Sequence, residues 1–228
     1  MAGGTIETYL VGVPSVDAHR RLIELPGRLV VPAQATGLVL FAHGSGSSRS
    51  SPRNARVAGV LHESGLATLL FDMLTEAEAA DRANVFDIPL LANRVREAVQ
   101  FMASLEGVDG LPVGLFGAST GAAAALVAAA ADRRVRAVVS RGGRPDLAAD
   151  SLPAVRAPTL LIVGGRDHEV LDLNRQALDR LGCEKQLAVI PRATHLFEEP
   201  GTLDEAARLA ATWFGRYLPP ESATGAAL

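Results

Sequence analysis

The stretch Leu111–Ala131, LPVGLFGASTGAAAALVAAAA, decides how the rest of the chain is read. Its first part, Leu111–Phe116, is an apolar run that predicts a strand. Gly117-Ala118-Ser119-Thr120-Gly121 then fits G-x-S-x-G, and Ala122–Ala131 predicts a helix that is apolar all round and therefore buried. A serine forced into a tight strand-to-helix turn projects its Oγ above the sheet. Glycine two residues to either side leaves room for backbones that approach it closely. The helix beginning at this turn aims its N–H groups, and the positive end of its dipole, at the point where an oxyanion would form.

A dinucleotide-binding turn is the main rival, because Gly114, Gly117 and Gly121 also make a glycine-rich strand-to-helix loop. Such a turn wants an acidic residue at the end of the next strand, about 20 residues on. The next strand, Val135–Val139, runs into Ser140 and Arg141 instead. The nucleophile turn is the better reading.

The chain around this turn has 228 residues, the size of a single α/β domain, taken as residues 1–218 with a flexible tail over 219–228. At 48% hydrophobic and 21% charged it has an ordinary globular composition. A formal net charge of −3 and the absence of any basic run argue against a nucleic-acid partner. Lys185 is the sole lysine, which removes the G-K-[ST] phosphate loop and argues against a lysine-bound pyridoxal site. Cys183 is the sole cysteine, so no intrachain disulfide can form, and it reads as a small apolar residue near a helix end. No signal-peptide pattern opens the sequence, and no run of about 18 apolar residues spans a membrane, so a cytoplasmic location is expected.

Taken in order, residues 5–31 predict an antiparallel lead-in. Thr5–Val13 and Arg20–Leu25 are strand-like, Pro26-Gly27 reads as a turn, and Arg28–Val31 resumes as a strand. Leu38–Ala42 predicts a fully buried strand, followed by the polar loop His43–Pro52, a helix over Arg53–Ser64 and a strand over Leu66–Phe71. Met73–Phe86 is acidic and has no clear periodicity. Asp87 caps a helix over Ile88–Leu105. Beyond the central helix come strand Val135–Val139, strand Thr159–Val163, helix Leu171–Leu181, strand Gln186–Ile190 and helix Leu203–Tyr217. This alternation predicts a mostly parallel sheet with helices on both faces. The connection Arg141–Pro158 is too short and proline-broken for a substantial helical cap.

A serine hydroxyl needs a base to take its proton and a third group to orient that base. In folds that present a serine on such a turn, the acid and then the histidine follow it along the chain. His168 and His195 are the histidines downstream of Ser119, and His195 lies in the loop directly after the strand ending at Ile190. That loop is at the carboxyl edge of a parallel sheet, as is Ser119. Asp167 sits where the preceding strand exits, with Asp172 as the fallback inside the next helix. The oxyanion hole is assigned to the Thr120 N–H and to the Ser45 N–H in the loop after Leu38–Ala42, with Gly44 making the close turn beside the substrate. His43 reads as a loop-fixing hydrogen-bonder. A metal site built from His43, His168 and His195 has no ligand-spacing motif behind it, and none is expected. Arg141 and Arg144 follow a strand and so reach the same edge. They read equally as substrate contacts and as structural partners of Asp72, Asp87 or Asp146.

With Ser119, Asp167 and His195 in this order, the chain resembles the α/β-hydrolase superfamily along almost its full length. It looks closest to small bacterial dienelactone-hydrolase-like proteins, some of which occur joined to phosphoribosyltransferase domains. The resemblance is carried by His43–Asn54 (HGSGSSRSSPRN), Leu69–Thr75 (LLFDMLT), Phe116–Gly121 (FGASTG), Val139–Leu147 (VSRGGRPDL) and Thr194–Gly201 (THLFEEPG). It implies an α/β-hydrolase fold and hydrolysis of an ester or lactone without a cofactor. Dienelactone hydrolases proper carry a cysteine at the nucleophile position, where this chain has Ser119, and no phosphoribosyltransferase motif is present. A carboxylesterase acting on a small-molecule ester is therefore expected. A thioesterase, amidase or acyltransferase would use the same residues, and a non-catalytic binding module would use the same fold. The sequence leaves open whether copies associate into a homo-oligomer.

Overall fold

In the computed structural model, which describes residues 5–219, the chain opens with β1 (Ile6–Val16) and β2 (Leu22–Pro32). It continues through β3 (Gly37–Ala42), α1 (Pro52–Glu63), β4 (Leu66–Phe71), α2 (Glu76–Ala79), α3 (Arg82–Val85) and α4 (Ile88–Met102). Then follow β5 (Val113–Ala118), α5 (Thr120–Ala131), β6 (Val135–Arg141), β7 (Thr159–Gly164), α6 (His168–Arg180), β8 (Lys185–Ile190) and α7 (Thr202–Tyr217). The expected frayed tail lies, apart from Pro219, outside the described residues. No helix among the described residues is long and apolar enough to cross a membrane.

Eight strands form one sheet in the order β1-β2-β4-β3-β5-β6-β7-β8. β1 and β2 pair antiparallel, as do β2 and β4, and every pairing from β4 through β8 is parallel. The strand order reverses at β3, which has β4 on one side and β5 on the other. Open α/β sheets form their ligand crevice at the carboxyl ends of such strands. The loops leaving β3, β5, β6, β7 and β8 therefore converge on one edge.

Strands β3, β4, β5 and β7 are buried along their whole length, which is why their sequences are apolar without alternation. Side chains still divide by face. Leu38, Leu40, Leu69 and Leu115 pack with Leu91, Val95 and Met102 of α4 and with the alanines of α5. Val39, Phe41, Leu70 and Phe116 pack with Val57 and Leu61 of α1 and Ala206, Ala210 and Phe214 of α7. Alanine suits α5 because a helix buried on nearly all sides needs short side chains to lie close on the sheet and on α4.

Three expectations are corrected. Pro26-Gly27 is not a turn: β2 runs through it, and the hairpin reverses at residues 17–21, where Asp17 Oδ1 accepts from the His19 and Arg21 N–H groups at 2.9 Å each. Pro26 is tolerated because β4 pairs only with Gly27–Val30, so no ladder bond is asked of it on that side. Residues 73–86 are not irregular but hold α2 and α3, the first closed by a reciprocal cap between Thr75 and Glu78. β5 and β6 also run two residues further than expected, to Ala118 and Arg141, because each keeps pairing with its neighbour. The connection after β6 holds only two short 3-10 turns, Pro145–Ala148 and Leu152–Ala154, and no cap.

Two side chains tie the segments around the crevice. Arg94 of α4 is 1% exposed; it donates from Nη1 to the Val16 carbonyl and from Nη2 to Glu78 Oε1, at 2.7 Å each. It thus clasps the β1–β2 hairpin and α2 to one helix. Arg94→Met should strand Glu78 and the Val16 carbonyl and cost on the order of 3 kcal/mol, read as a lower urea midpoint at unchanged m-value. Removing the exposed Arg175–Asp172 pair should cost under about 1 kcal/mol.

His43, at the exit of β3, has Nδ1 3.1 Å from the Gly44 carbonyl, while its Nε2 accepts from the Met73 N–H at 3.3 Å. Both bonds suit the neutral Nδ1–H ring, and burial holds its pKa below the ordinary 6.5. The native state then resists a proton that the unfolded chain accepts. Stability should therefore fall as pH drops below about 6.5 and level off once the native ring also titrates. His43→Gln should lose less of its melting temperature between about pH 7.5 and 5 than the parent does. A residual slope should remain, because burial also lowers the pKa of His62.

Candidate active site

Ser119 is the one residue between β5 and α5, with φ 52° and ψ −123°. A non-glycine residue there costs about 1–3 kcal/mol, which only tight surroundings can impose. They are tight: a Cβ on Gly117 would sit 2.4 Å from Ala122 Cα, and one on Gly121 would sit 2.2 Å from the Ala42 carbonyl oxygen. The helix start is thus pressed onto the end of β3, and G-x-S-x-G is the sequence that allows it. The Ser119 N–H donates to the Arg141 carbonyl at 3.3 Å, and its own carbonyl accepts from Ala122 and Arg144 at 3.1 Å each. The side chain makes no capping bond and faces a cavity of about 250 Å³.

Asp167 occupies the N-cap position of α6, yet its side chain does not cap the helix. The His195 Nδ1–H donates to its Oδ2 at 2.6 Å instead. The two loops are joined by backbone bonds from Gly165 to Ile190 at 2.8 Å and from Arg166 to Ala193 at 3.0 Å. A Cβ on Gly164 would lie 2.4 Å from the Ala193 carbonyl oxygen, so glycine is what permits this approach. His195 lines the same cavity as Ser119. Asp172, the fallback acid, is exposed in α6 and paired with Arg175 at 2.8 Å.

Ser45 and Gly44 line this cavity and also a second one of about 220 Å³, bounded by Met73, Leu74, Ala79, Val85, Leu91 and Thr120. Gly44 packs directly on the Ser119 side chain. The Ser45 N–H, however, donates to Thr120 Oγ1 at 2.9 Å. The two residues assigned to one oxyanion hole are therefore bonded to each other.

The two arginines at and after the end of β6 separate. Arg144 pairs with Asp146 through bonds of 2.8 and 2.9 Å and does not line the Ser119 cavity. Arg141 does line it, is 7% exposed, and rests over the Phe197 ring with Cζ 5.6 Å from its centroid. Asp72, an alternative partner, is taken by Arg49.

Sequence reasoning missed the residues that set these loops. Buried Asn174 of α6 donates to the Gly143 carbonyl at 2.9 Å, fastening the loop after β6. Glu199 accepts the Thr194 N–H at 3.0 Å, which holds its carboxyl below the ordinary pKa and braces the histidine loop. Phe197 sits in the left-handed region, φ 56°, and buries its ring beside Arg141. An asparagine amid the apolar positions of α6 is the one signal that sequence offered. Among the described residues no group of three or more His, Cys, Asp or Glu side chains could hold a metal ion.

Known proteins share this architecture. The chain is 55% identical to dienelactone hydrolase from Anabaena variabilis, with a TM-score of 0.88, covering 93% of this chain and 99% of that one. A protein of Mycobacterium tuberculosis named as a phosphoribosyl transferase is 61% identical over 197 residues, 86% of this chain. The chain spans only 44% of that protein's length. A thiohydrolase of Aspergillus aculeatus is 32% identical over 120 residues, 52% of this chain and 37% of that protein. Residues 35–208 match the family described as the alpha/beta hydrolase domain, and the chain belongs to that family.

Proposed function

We propose that this hydrolase cleaves short-chain carboxylic esters or lactones through an acyl-enzyme on Ser119. Ser119 Oγ attacks the acyl carbon while His195 takes its proton. His195 then returns that proton to the leaving alcohol as the C–O bond breaks, and a water deprotonated by His195 releases the acid and restores the serine. Asp167 holds the imidazole in the tautomer that leaves Nε2 toward the serine. The Thr120 N–H receives the oxyanion, and the oxyanion displaces the Thr120 hydroxyl to gain the Ser45 N–H. The observation that carries the reading is the 2.6 Å bond between His195 and Asp167 beside a serine on a strained turn, in one cavity.

A thioester substrate is the second reading, favoured by the partial similarity to a thiohydrolase. The 61% match leaves most of the M. tuberculosis protein unaligned, so phosphoribosyl transfer is not proposed for this chain. A cytoplasmic location, a small-molecule partner and the absence of a cofactor belong to the same proposal.

Ser119→Ala and His195→Ala should each lower kcat by about 10³-fold or more with the fold intact, and the double variant should lose little further. Asp167→Asn should raise the barrier by several kcal/mol, while Asp172→Asn should do little. Loss of fluorophosphonate labelling in Ser119→Ala checks the nucleophile directly. Wild-type turnover in that variant would end the reading.

The substrate should be small. The cavity bounded by α2 and α3 is about 220 Å³, and no helical cap adds to it. A methylene beyond its reach stays wet and forfeits most of the roughly 0.8 kcal/mol of full burial. Across p-nitrophenyl esters, kcat/KM should peak at about two to six acyl carbons, whereas a maximum at ten or more would require a deep apolar tunnel.

A further inference from the structure

Several arginines in this protein are matched to carboxylates: Arg49 to Asp72, Arg94 to Glu78, Arg134 to Asp132 and Arg144 to Asp146. Arg141 is the exception among those close to the crevice. It is 7% exposed, and its buried Nε and Nη1 have no hydrogen-bond partner. The charged group that acts on it is Arg53, of its own sign, which lines the same cavity. No carboxylate lines that cavity; Glu198, at 3.8 Å from Arg53 Nη1, stands outside it. Burying a cation without a counter-charge costs several kcal/mol, and the face of the Phe197 ring returns only part of that. Burial lowers the guanidinium pKa to about 10, so it is still a cation at neutral pH. A cationic fork beside Ser119 and His195, desolvated and lacking an internal partner, is organised for an oxyanion from outside.

We propose that Arg141 is the receptor for an anionic group, carboxylate or phosphate, carried by the substrate that Ser119 attacks. This rests on the hydrolase reading for its chemistry but not for its binding. Arg53, at the open side of the cavity, adds attraction of the same sign. Asn54, 3% exposed and lining the same wall, supplies an amide. Arg144, for which the sequence left substrate contact and structural pairing equally open, has no part in this because Asp146 neutralises it.

The test compares matched ester pairs on the parent and on Arg141→Met and Arg141→Lys. Monomethyl glutarate against methyl valerate places the charge on the acyl half. 4-Acetoxybenzoate against its methyl ester places it on the alcohol half, and 4-acetoxyphenyl phosphate replaces the carboxylate by phosphate. The parent should prefer at least one anionic member, and Arg141→Met should reduce that preference by about 10- to 100-fold, with Arg141→Lys between. Equal loss on charged and neutral esters would mean a structural role and overturn the proposal. Binding is read separately, as the rise in melting temperature of the parent with glutarate or 4-hydroxybenzoate against their neutral amides. If fluorophosphonate labels Ser119 but neither anion preference nor anion stabilisation appears, the proposal fails and the hydrolase reading stands. If labelling and turnover are absent while anions still stabilise the parent and not Arg141→Met, the hydrolase reading fails and the anion site stands.

Discussion

The contact on which the rest depends is the approach of α5 to the end of β3. Gly121 lies against the Ala42 and His43 carbonyls so closely that no side chain fits between them. That approach holds Ser119 in a backbone conformation that L-residues rarely adopt, with its carbonyl and N–H both bonded to the chain that leaves β6. A residue strained by about 1–3 kcal/mol stays so only where its neighbours are themselves fixed. Here they are fixed by central strands buried on both faces and by an alanine helix pressed onto them.

The same economy of space governs the other loops of the edge. β7 and β8 exit together because Gly164 admits the histidine loop, and this brings a carboxylate 28 residues earlier in the chain within 2.6 Å of an imidazole. Asp167 and Ser119 both stand at helix N-cap positions, and neither spends its side chain on capping. Their side-chain oxygens are thus not engaged in local capping, a departure from the usual use of Ser and Asp at these positions.

The crevice is also divided by charge and polarity. On one side, Met73 and Leu74 after β4, Ala79 of α2 and Val85 of α3 form an apolar wall, with α2 held in place by Arg94 through Glu78. On the other, Arg53, Asn54 and Arg141 face Ser119 and His195. The loop Gly44–Ser47 runs between the two and belongs to both walls. An ester laid across it would meet an apolar surface at one end and a cationic one at the other.

The amino-acid sequence alone determined the parallel sheet, the serine turn and the placement of Asp167 and His195 at strand exits. Each of these rests on local patterns: unbroken apolar runs, glycine spacing, and the rule that parallel strands end at one edge. It failed at Pro26-Gly27, where a turn dipeptide lies inside a strand, because pairing on both sides of β2 outweighs local preference. It failed again at residues 73–86, whose two short helices are set by caps and by Arg94 rather than by any apolar period. Only the tertiary structure separated Arg141 from Arg144. The two lie three residues apart, Arg141 ending β6 and Arg144 in the loop after it, and what distinguishes them is whether a carboxylate stands within reach: Asp146 is two residues from Arg144, whereas Arg141 is enclosed by Phe197 and the cavity wall. Partners brought together from distant parts of the chain leave no mark in the local pattern, so burial and pairing had to be read from the fold.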